Sequence, residues 1–437
     1  MRLRSGAPAG LIAVACAVLA AAGCASGNSS TNGAVPAAAV VRGVAVTEPA
    51  ADAAPFGAAD TGFGLDVLRA WCAEYPGKNL VFSPSTLASA LGMAYLGARG
   101  TTATAMAGVL RLPASGGTEL DAGLQARSKA LTGLNGPGVT LSPSNQVWAD
   151  PSLPPERGYL DAVATGYGAG VAQAPFLSDP AQAAGQVNKA ISADTRGHIS
   201  DLVSPQSVAG VGWVLTSALY LNAKWQSPFD ASKTEAGAFT LSDGKTASAE
   251  YLDGDGFSYA ESDGWTAVGL PYAGDKLTMT ALLPPSGSVS CTLPTQSGLA
   301  SMTAALTADG SGTAAPGSAR TATIELPKVS LATSGQTGDM KAVLEELGMG
   351  QAFGGSADFT GLSAKAGNLA FVQQAATLKV GEQGTVASAA AAVGIYPSSA
   401  EVDPVLVQFD RPYLLLVSAK ATGEPLFLAE VANPAAS

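Results

Sequence analysis

Apolar residues recur at helical spacing in the first half of the chain, whereas short apolar runs dominate the second half. The three- and four-residue spacing predicts helices at 63–73, 87–96 and 183–192. Apolar runs bounded by Gly and Pro predict strands at 213–221, 266–270, 277–283, 321–326 and 414–418. Helices come early and strands late, without a regular alternation or an internal repeat. The pattern therefore predicts an α+β fold.

One segment near the C-terminus departs from this pattern. A short apolar run, 375–380, ends in a turn signal at Gly381 and Gly384, and roughly ten small residues follow without charge, proline or a large side chain. Such a segment can stay outside as a loop, yet it can also enter a sheet without steric clash. Because successive strand side chains face opposite sides, Thr385 and every second residue up to Ile395 would then point the same way.

Ten further segments, in order between residues 57 and 435, resemble those of the serpin family. They are NLVFSP at 79–84, LGMAYLGARGTT at 91–102, the N…T-x-G-x-I pattern at 188–199, LYLNAKW with the following PF at 219–229, LPY at 270–272, LPKV at 326–329, LG at 347–348, ADF at 357–359, FDRPY at 409–413, and PLF with NP at 425–434. With the Glu-x-Gly-Thr start at Glu382, the chain is identified as a member of this family, of the inhibitory type.

The resemblance implies a fold and a mechanism. The fold has a large central, mostly antiparallel β-sheet, two smaller sheets, about eight or nine helices and an exposed reactive loop. A serine protease attacks that loop as a substrate. The cleaved loop then inserts into the central sheet and releases stored strain, so that the acyl-enzyme is trapped.

The resemblance also assigns residues to the loop. The hinge comprises Glu382, Gly384, Thr385, Val386, Ala387, Ser388, Ala389 and Ala390, and Thr385 is the first side chain that must enter the sheet. Family spacing places the cleaved bond at Ser398–Ser399, although a cut after Pro397 or Ser399 stays open. A small residue before the cut suits an extracellular protease of elastase-like or broad specificity, subtilisin-like enzymes included.

The region where the sheet opens departs from the family. Its usual Asn and His are replaced by Ser217 and Gln374, beside Ser83 and Thr86, and Trp225 is the family's tryptophan. Such a cluster can satisfy buried polar groups, but it lacks a titratable imidazole.

Two hypotheses about the function remain. The small hinge residues favour inhibition, since non-inhibitory relatives tend to carry bulky or charged residues there. The alternative is a non-inhibitory surface binding or scaffold protein. Catalysis is not expected, because the single histidine, His198, lies in a loop segment and the chain has no G-x-S-x-G motif. We expect neither a cofactor nor a metal site.

The N-terminal region predicts export. A charged start, an apolar stretch at 11–22 and the Gly23-Cys24 junction resemble a bacterial lipoprotein signal peptide, 1–23, with Cys24 as the lipidated residue. An ordinary cleavage site is the alternative. Residues 24–56, rich in Ser, Gly, Ala and Pro, predict a flexible stalk before a serpin domain at 57–437.

Charge and cysteine content limit the partners. A net charge of −11 argues against nucleic acid as a partner and favours solubility. We expect a secreted monomer, anchored by its lipid to the outer face of the cell membrane. Cys72 and Cys291 either pair or remain buried thiols, and the spacing does not decide between these.

Replacing Cys24 by Ser is expected to release the protein into the medium, because a lipid anchor requires the thiol. Fractionation of cells into membrane and medium measures this. Membrane association that survives the substitution would contradict the lipoprotein hypothesis.

Overall fold

The computed structural model describes residues 35–114, 116–307, 321–333, 338–385 and 405–436. Its helices are α1 (Ala54–Glu74), α2 (Pro84–Gly97), α3 (Gly100–Val109), α4 (Gly117–Thr132), α5 (Arg157–Tyr167), α6 (Pro180–Asp194), α7 (Pro205–Val208), α8 (Gln296–Thr307), α9 (Lys341–Leu344) and α10 (Gly350–Phe353).

The described residues also form sixteen strands. They are β1 (Ala39–Val41), β2 (Leu80–Phe82), β3 (Val139–Ala149), β4 (Val171–Gln173), β5 (Trp213–Lys224), β6 (Glu235–Thr240), β7 (Thr246–Ser262), β8 (Trp265–Pro271), β9 (Leu277–Leu283), β10 (Thr321–Pro327), β11 (Val329–Thr333), β12 (Val372–Gly381), β13 (Gly384–Thr385), β14 (Val405–Gln408), β15 (Tyr413–Ala419) and β16 (Pro425–Val431). The predicted α+β class is confirmed.

Two sheets organise these strands. The first has seven strands in the order β1-β4-β3-β5-β13-β12-β11, and only its β3–β4 and β5–β12 pairings are parallel. The second has nine strands, in the order β14-β10-β7-β8-β9-β15-β16-β2 with β6 beside β7. The two smaller sheets that the resemblance implies are joined here, because the 17-residue strand β7 pairs with β6 and β10 along one part and with β8 along the other.

Helix α2 lies at the centre of the domain. Ser83 caps its N-terminus by accepting a hydrogen bond from Thr86 N, and Pro84 occupies its first turn, where a missing N–H costs nothing. Twelve of its fourteen residues are buried, as expected of a helix that is apolar on all sides. The helix packs between β3 and β5 of the seven-stranded sheet and β16 of the nine-stranded sheet.

A buried ion network fixes the helices around this core. Arg127 of α4 donates to the Glu424 carboxylate at 2.6 Å, to Ser89 Oγ at 2.8 Å and to the Asp60 carboxylate. Burial raises the pKa of Asp60 despite the guanidinium beside it. Removing one partner would leave a buried charge uncompensated, so the network strongly favours this one arrangement of α1, α2 and α4.

Cys72 of α1 and Cys291 form a disulfide, which settles the alternative that the spacing left open. The bond closes a separation of 219 residues. Cys291 is held further by its backbone N–H, which donates to the buried carboxylate of Glu430 at 2.9 Å. Ser290 Oγ donates to the same carboxylate oxygen at 2.9 Å.

The structure corrects the second half of the predicted stalk. Ala39–Val41 pairs with Val171–Gln173 of β4, and helix α1 begins at Ala54 rather than after residue 56. The composition of this stretch indicates little apolar burial, but the segment docks through its backbone instead. Residues 1–34 lie outside the described residues, so the signal peptide and Cys24 remain predictions. Among the described residues, no helix is long and apolar enough to cross a membrane.

The buried carboxyl of Glu430 predicts a pH-dependent stability. Burial raises the pKa of Glu430 from 4.5 to about 7, in spite of the hydrogen bonds it accepts. The folded state therefore keeps a proton that the unfolded state releases. Its contribution to stability is fully present below pH 4.5 and is lost as the pH rises to about 7. A shift of this size corresponds to a loss on the order of 3 kcal/mol.

Glu430→Gln is expected to remove this part of the pH dependence, because the amide can still accept from Cys291 N but cannot ionise. Urea unfolding between about pH 4 and about pH 8 measures the effect. Glu235→Gln, at an exposed position of β6, is the matched control for the lost charge. Identical pH profiles for wild type and Glu430→Gln would contradict the assignment.

Candidate functional site

The two central strands of the seven-stranded sheet part from each other along their length. β12 pairs in parallel with β5 only over Val372–Ala376 against Leu215–Leu219. Beyond that point, residues 377–379 of β12 pair with β11, and residues 220–222 of β5 pair with β3. The sheet therefore contains a wedge-shaped opening between β5 and β12, which we call the wedge.

The predicted hinge lies in the mouth of the wedge. Gly384–Thr385 forms the short strand β13, which pairs with Val380 and Gly381 on one side and with Ala223 and Lys224 on the other. Thr385 is completely buried. The hypothesis that Thr385 is the first side chain to enter the sheet is thus refined, since Thr385 already lies within the sheet of the uncleaved chain.

Gly384 is required by the closeness of the backbone around it. Its φ of 141° lies in a region that side chains disfavour. An added Cβ would lie 2.1 Å from the carbonyl oxygen of Ala223, which is inside contact distance. At Gly381, on the other side of the turn, an added Cβ would meet nothing within 4 Å.

Two stacked aromatic rings support the hinge from below. Tyr272 and Trp225 stack with their ring centroids 4.5 Å apart, and the Tyr272 hydroxyl lies 2.5 Å from Thr385 Oγ1. Trp225 Nε1 donates to the Gly381 carbonyl at 2.8 Å, and its backbone N–H donates to the Gln383 carbonyl at 3.0 Å. The tryptophan therefore holds the turn on both sides. Tyr272 has no role in the sequence prediction, although it ends the LPY segment.

An ionic cluster holds the start of the hinge. Glu382 Oε1 lies 3.0 Å from Lys328 Nζ and accepts from Thr234 Oγ1 at 3.1 Å. Lys328 Nζ lies equally close to Glu250 Oε2 on β7. Burial alone would raise the pKa of Glu382, but hydrogen bonds from a backbone N–H and from Lys328 lower it below its ordinary value. The cluster ties the hinge to the nine-stranded sheet.

Of the predicted sheet-opening residues, Trp225 lies at the hinge itself, whereas Ser217 and Gln374 lie at the closed end of the wedge, where β5 and β12 still pair. Ser217 and Gln374 are neighbours across the β5–β12 pairing, and both are completely buried. Asn145 of β3, which the sequence prediction missed, is opposite Ser217 and extends the row. Ser217 Oγ, both Gln374 amide atoms and Asn145 Oδ1 find no hydrogen-bond partner among the described residues.

This row corrects the expectation that the Ser/Gln/Ser/Thr cluster satisfies its own polar groups. Ser83 and Thr86 bond to each other at the start of α2, and Ser83 Oγ lies 3.3 Å from Ser85 Oγ. No side-chain hydrogen bond joins Ser217 to Gln374. Parting β5 from β12 at this row therefore breaks only backbone hydrogen bonds.

The other residues that the sequence analysis assigns to the loop lie outside the described residues. These are the hinge residues Val386, Ala387, Ser388, Ala389 and Ala390 and the cleaved bond Ser398–Ser399. The described chain resumes at β14, on the nine-stranded sheet. His198 is exposed and stacks on the Tyr220 ring at a centroid distance of 4.8 Å.

Comparison with known proteins agrees with this architecture. A family model described as Serpin (serine protease inhibitor) matches residues 58–434. An uncharacterized serpin-like protein of Thermococcus kodakarensis is 31% identical over 370 residues, covering 82% of this chain and 81% of the relative. The leukocyte elastase inhibitor of Bos taurus is 28% identical over 395 residues, covering 86% and 99%.

Among solved structures, the thermophilic serpin tengpin in its native state shares the fold. It aligns with a TM-score of 0.74 at 23% identity, covering 91% of this chain and all of tengpin. The family consists mostly of protease inhibitors, which are not catalytic enzymes, and it includes non-inhibitory members. With the family model matched across nearly the whole described domain, this chain belongs to the serpin family.

Proposed function

We propose that the protein inhibits an extracellular serine protease as a suicide substrate. The protease would cut the segment between Thr385 and β14, and the segment following the hinge would then insert as a strand between β5 and β12. The observation that carries this proposal is the position of Gly384–Thr385 in the mouth of the wedge. The hinge already points the chain into the opening that insertion would fill.

The energetics of the wedge support insertion. An inserted strand would replace one parallel ladder between β5 and β12 with two new ladders, so it increases the number of backbone hydrogen bonds. Ordering the loop opposes this at about 1–2 kcal/mol per residue, while each net hydrogen bond returns only about 1 kcal/mol. Buried side chains must supply the rest. Every second residue from Thr385 to Val393 is small enough to enter in turn.

The protease class follows from the proposed cut at Ser398–Ser399. A small residue on either side suits an enzyme of elastase-like or broad specificity. The name of the bovine relative, leukocyte elastase inhibitor, supports the same class. Lipidation at Cys24 would place the inhibitor at the outer face of the cell membrane, where it would meet extracellular proteases.

The alternative is a non-inhibitory serpin that binds partners at the surface. The small, uncharged residues from 385 to 394 favour inhibition over this reading. The decisive experiment incubates the purified protein with elastase, subtilisin, trypsin and chymotrypsin, and then separates the products under denaturing conditions. A covalent complex that resists denaturation supports inhibition. Complete cleavage by every enzyme without such a complex would contradict it.

Thr385→Arg is expected to convert the inhibitor into a substrate. A guanidinium at this fully buried site loses its hydration and overlaps the Tyr272 hydroxyl, which lies against Thr385 Oγ1. Burying the arginine in the sheet therefore costs several kcal/mol. The uncleaved chain can avoid this cost by moving the hinge out of the sheet, but insertion must bury residue 385 again, so the cost falls on the insertion barrier. Each 1.4 kcal/mol added to that barrier slows insertion about tenfold relative to deacylation. Moles of inhibitor consumed per mole of protease trapped should therefore rise at least about tenfold.

Thr385→Val is the matched control, because it keeps the shape of Thr385 and replaces only the hydroxyl by a methyl group. It should trap protease at a stoichiometry near that of wild type. The cleavage site, mapped by mass spectrometry, should be the same in all three proteins. Undiminished trapping by Thr385→Arg would show that this loop does not act by insertion.

Gly384→Ala is expected to expel the hinge from the wedge, since its Cβ would overlap the Ala223 carbonyl oxygen. Amide hydrogen exchange at residues 384 and 385 should accelerate at least about tenfold as β13 loses its pairing. Gly381→Ala, at a position with open space, is the matched control and should leave these amides protected. Equal protection in both variants would contradict a hinge held within the sheet.

A further inference from the structure

The Cys72–Cys291 bond lies beside a buried acid group, in a part of the domain that the proposed inhibition does not use. Cys291 is in the loop between β9 and α8 and is partly exposed, whereas Cys72 of α1 is buried. A reagent in solution therefore reaches the bond from the Cys291 side. Cys291 has a φ of 65°, in the left-handed region that residues other than glycine rarely adopt, so its contacts must fix this conformation.

Ser290 connects the Cys291 sulfur to Glu430. Ser290 Oγ lies 3.8 Å from Cys291 Sγ and 2.9 Å from Glu430 Oε1. Cys291 N donates to the same glutamate oxygen at 2.9 Å. Glu430 is only 1% exposed and lies in β16 between Leu80 of β2 and Leu414 of β15. A continuous path for a proton therefore runs from a buried carboxyl group through one hydroxyl group to the disulfide.

Glu430 holds a proton below neutral pH. Burial raises its pKa to about 7, and hydrogen bonds from Cys291 N and Ser290 oppose this only in part. The neighbouring β2, β15 and α2 and the loop 284–295 contain no charged residue. The charged residues of α1 are exposed or engaged in ion pairs elsewhere, and these are Asp60, Asp66, Arg69 and Glu74. With the proton on Glu430 Oε1, its hydrogen bond to Ser290 reverses, and the serine hydroxyl can donate to Cys291 Sγ.

We propose that the Cys72–Cys291 bond is a site of thiol–disulfide exchange with small dithiols, at which Ser290 and Glu430 supply the proton that the departing Cys291 sulfur takes up. Such a supply matters because Cys291 packs against the main hydrophobic core and is only partly exposed. A thiolate that forms there is poorly hydrated, and apolar surroundings disfavour it. A positioned proton donor removes this cost.

The exchange has two steps. In the first, a thiolate of the dithiol attacks Cys291 Sγ, the S–S bond breaks, and Cys72 leaves with the bonding electron pair and takes a proton from solvent. In the second, the other thiol of the dithiol loses its proton to solvent and attacks the dithiol sulfur of the mixed disulfide. Cys291 leaves with the electron pair and takes the proton of the Ser290 hydroxyl, while the serine takes that of Glu430. The dithiol is thereby oxidised to a disulfide, both cysteines are reduced, and solvent returns a proton to Glu430.

Reduction of the folded full chain by dithiothreitol tests this site. The protein is exposed to dithiothreitol for timed intervals between about pH 5.5 and about pH 9, and each sample is then quenched and alkylated. Mass spectrometry of the peptides that contain Cys72 and Cys291 gives the rate of reduction. Division of this rate by the dithiothreitol thiolate concentration at each pH removes the pH dependence of the reductant itself.

Ser290→Ala is expected to be reduced at least about tenfold more slowly than wild type below about pH 6, because a positioned proton donor accelerates a reaction by at least this factor. The two rates should meet above about pH 8, where Glu430 has lost its proton. Glu430→Gln removes the proton source and should lose the same part of the profile. Ser290→Thr keeps the hydroxyl group and should retain the wild-type profile. Ser286→Ala, at an exposed position of the same loop, is the matched control.

A purely structural role of Ser290 gives the opposite result, because a loosened loop exposes the bond and speeds its reduction at every pH. Such a uniform increase, or equal normalised rates for Ser290→Ala and wild type at acidic pH, overturns the proposal. A wild-type bond that dithiothreitol leaves intact in the folded protein at every pH overturns it too. Protease trapping takes no part in these measurements, so their outcome is independent of the proposed inhibition.

Discussion

The parting of β5 from β12 above Leu219 and Ala376 is the constraint on which the other functional features depend. A continuous sheet would pair these strands along their full length and leave no place for a further strand. Here the opening is kept by the turn at Gly381–Gly384, which Trp225 holds by two hydrogen bonds. Thr385 fills the mouth, and Tyr272 anchors it. The hinge thus closes the mouth of the opening and, in the proposed mechanism, is the first part of the inserted strand.

At the closed end of the wedge, no side-chain hydrogen bond joins Ser217 of β5 to Gln374 of β12. The row Asn145–Ser217–Gln374 places polar side chains where apolar packing or a hydrogen-bonded pair would normally join neighbouring strands. The rest of the domain is held differently, by the Arg127 network and by the Cys72–Cys291 bond. Strong fixed contacts around the helices and a line of few contacts between β5 and β12 allow one part of the sheet to move while the core stays intact.

Much of this arrangement could be predicted from the sequence, because it rests on local signals. Apolar spacing identified α1, α2, α6 and the strands β5, β8, β9, β10 and β15, whose bounds extend the predicted ranges by a few residues at most positions. The small residues after Gly384 pointed to a segment that can enter a sheet. Trp225, Glu382 and Gly384 meet at one site, whereas the resemblance grouped Trp225 with the sheet-opening residues Ser217 and Gln374.

Other features depend on long-range contacts that no local pattern records. Strand β7 carries Asp253, Gly254 and Asp255 in its middle, so its sequence resembles a turn, and only its three partner strands make it regular. Residues 35–48 have the composition of a stalk, since their attachment uses backbone groups that every sequence possesses. Lys328 and Asn145 acquire their roles only when β11 is brought beside β12 and β3 beside β5.

The order of these elements along the chain has a consequence for biogenesis. All the hydrogen-bond partners of residues 35–48 outside this segment lie between Gln125 and Lys189, whereas β12 and the hinge come nearly two hundred residues later. A polypeptide that emerges N-terminus first therefore completes residues 35–48 and the surface on which they dock before β12 and the hinge are synthesised. The edge of the seven-stranded sheet formed by β1, β4 and β3 can thus assemble before the strands between which the opening lies are complete.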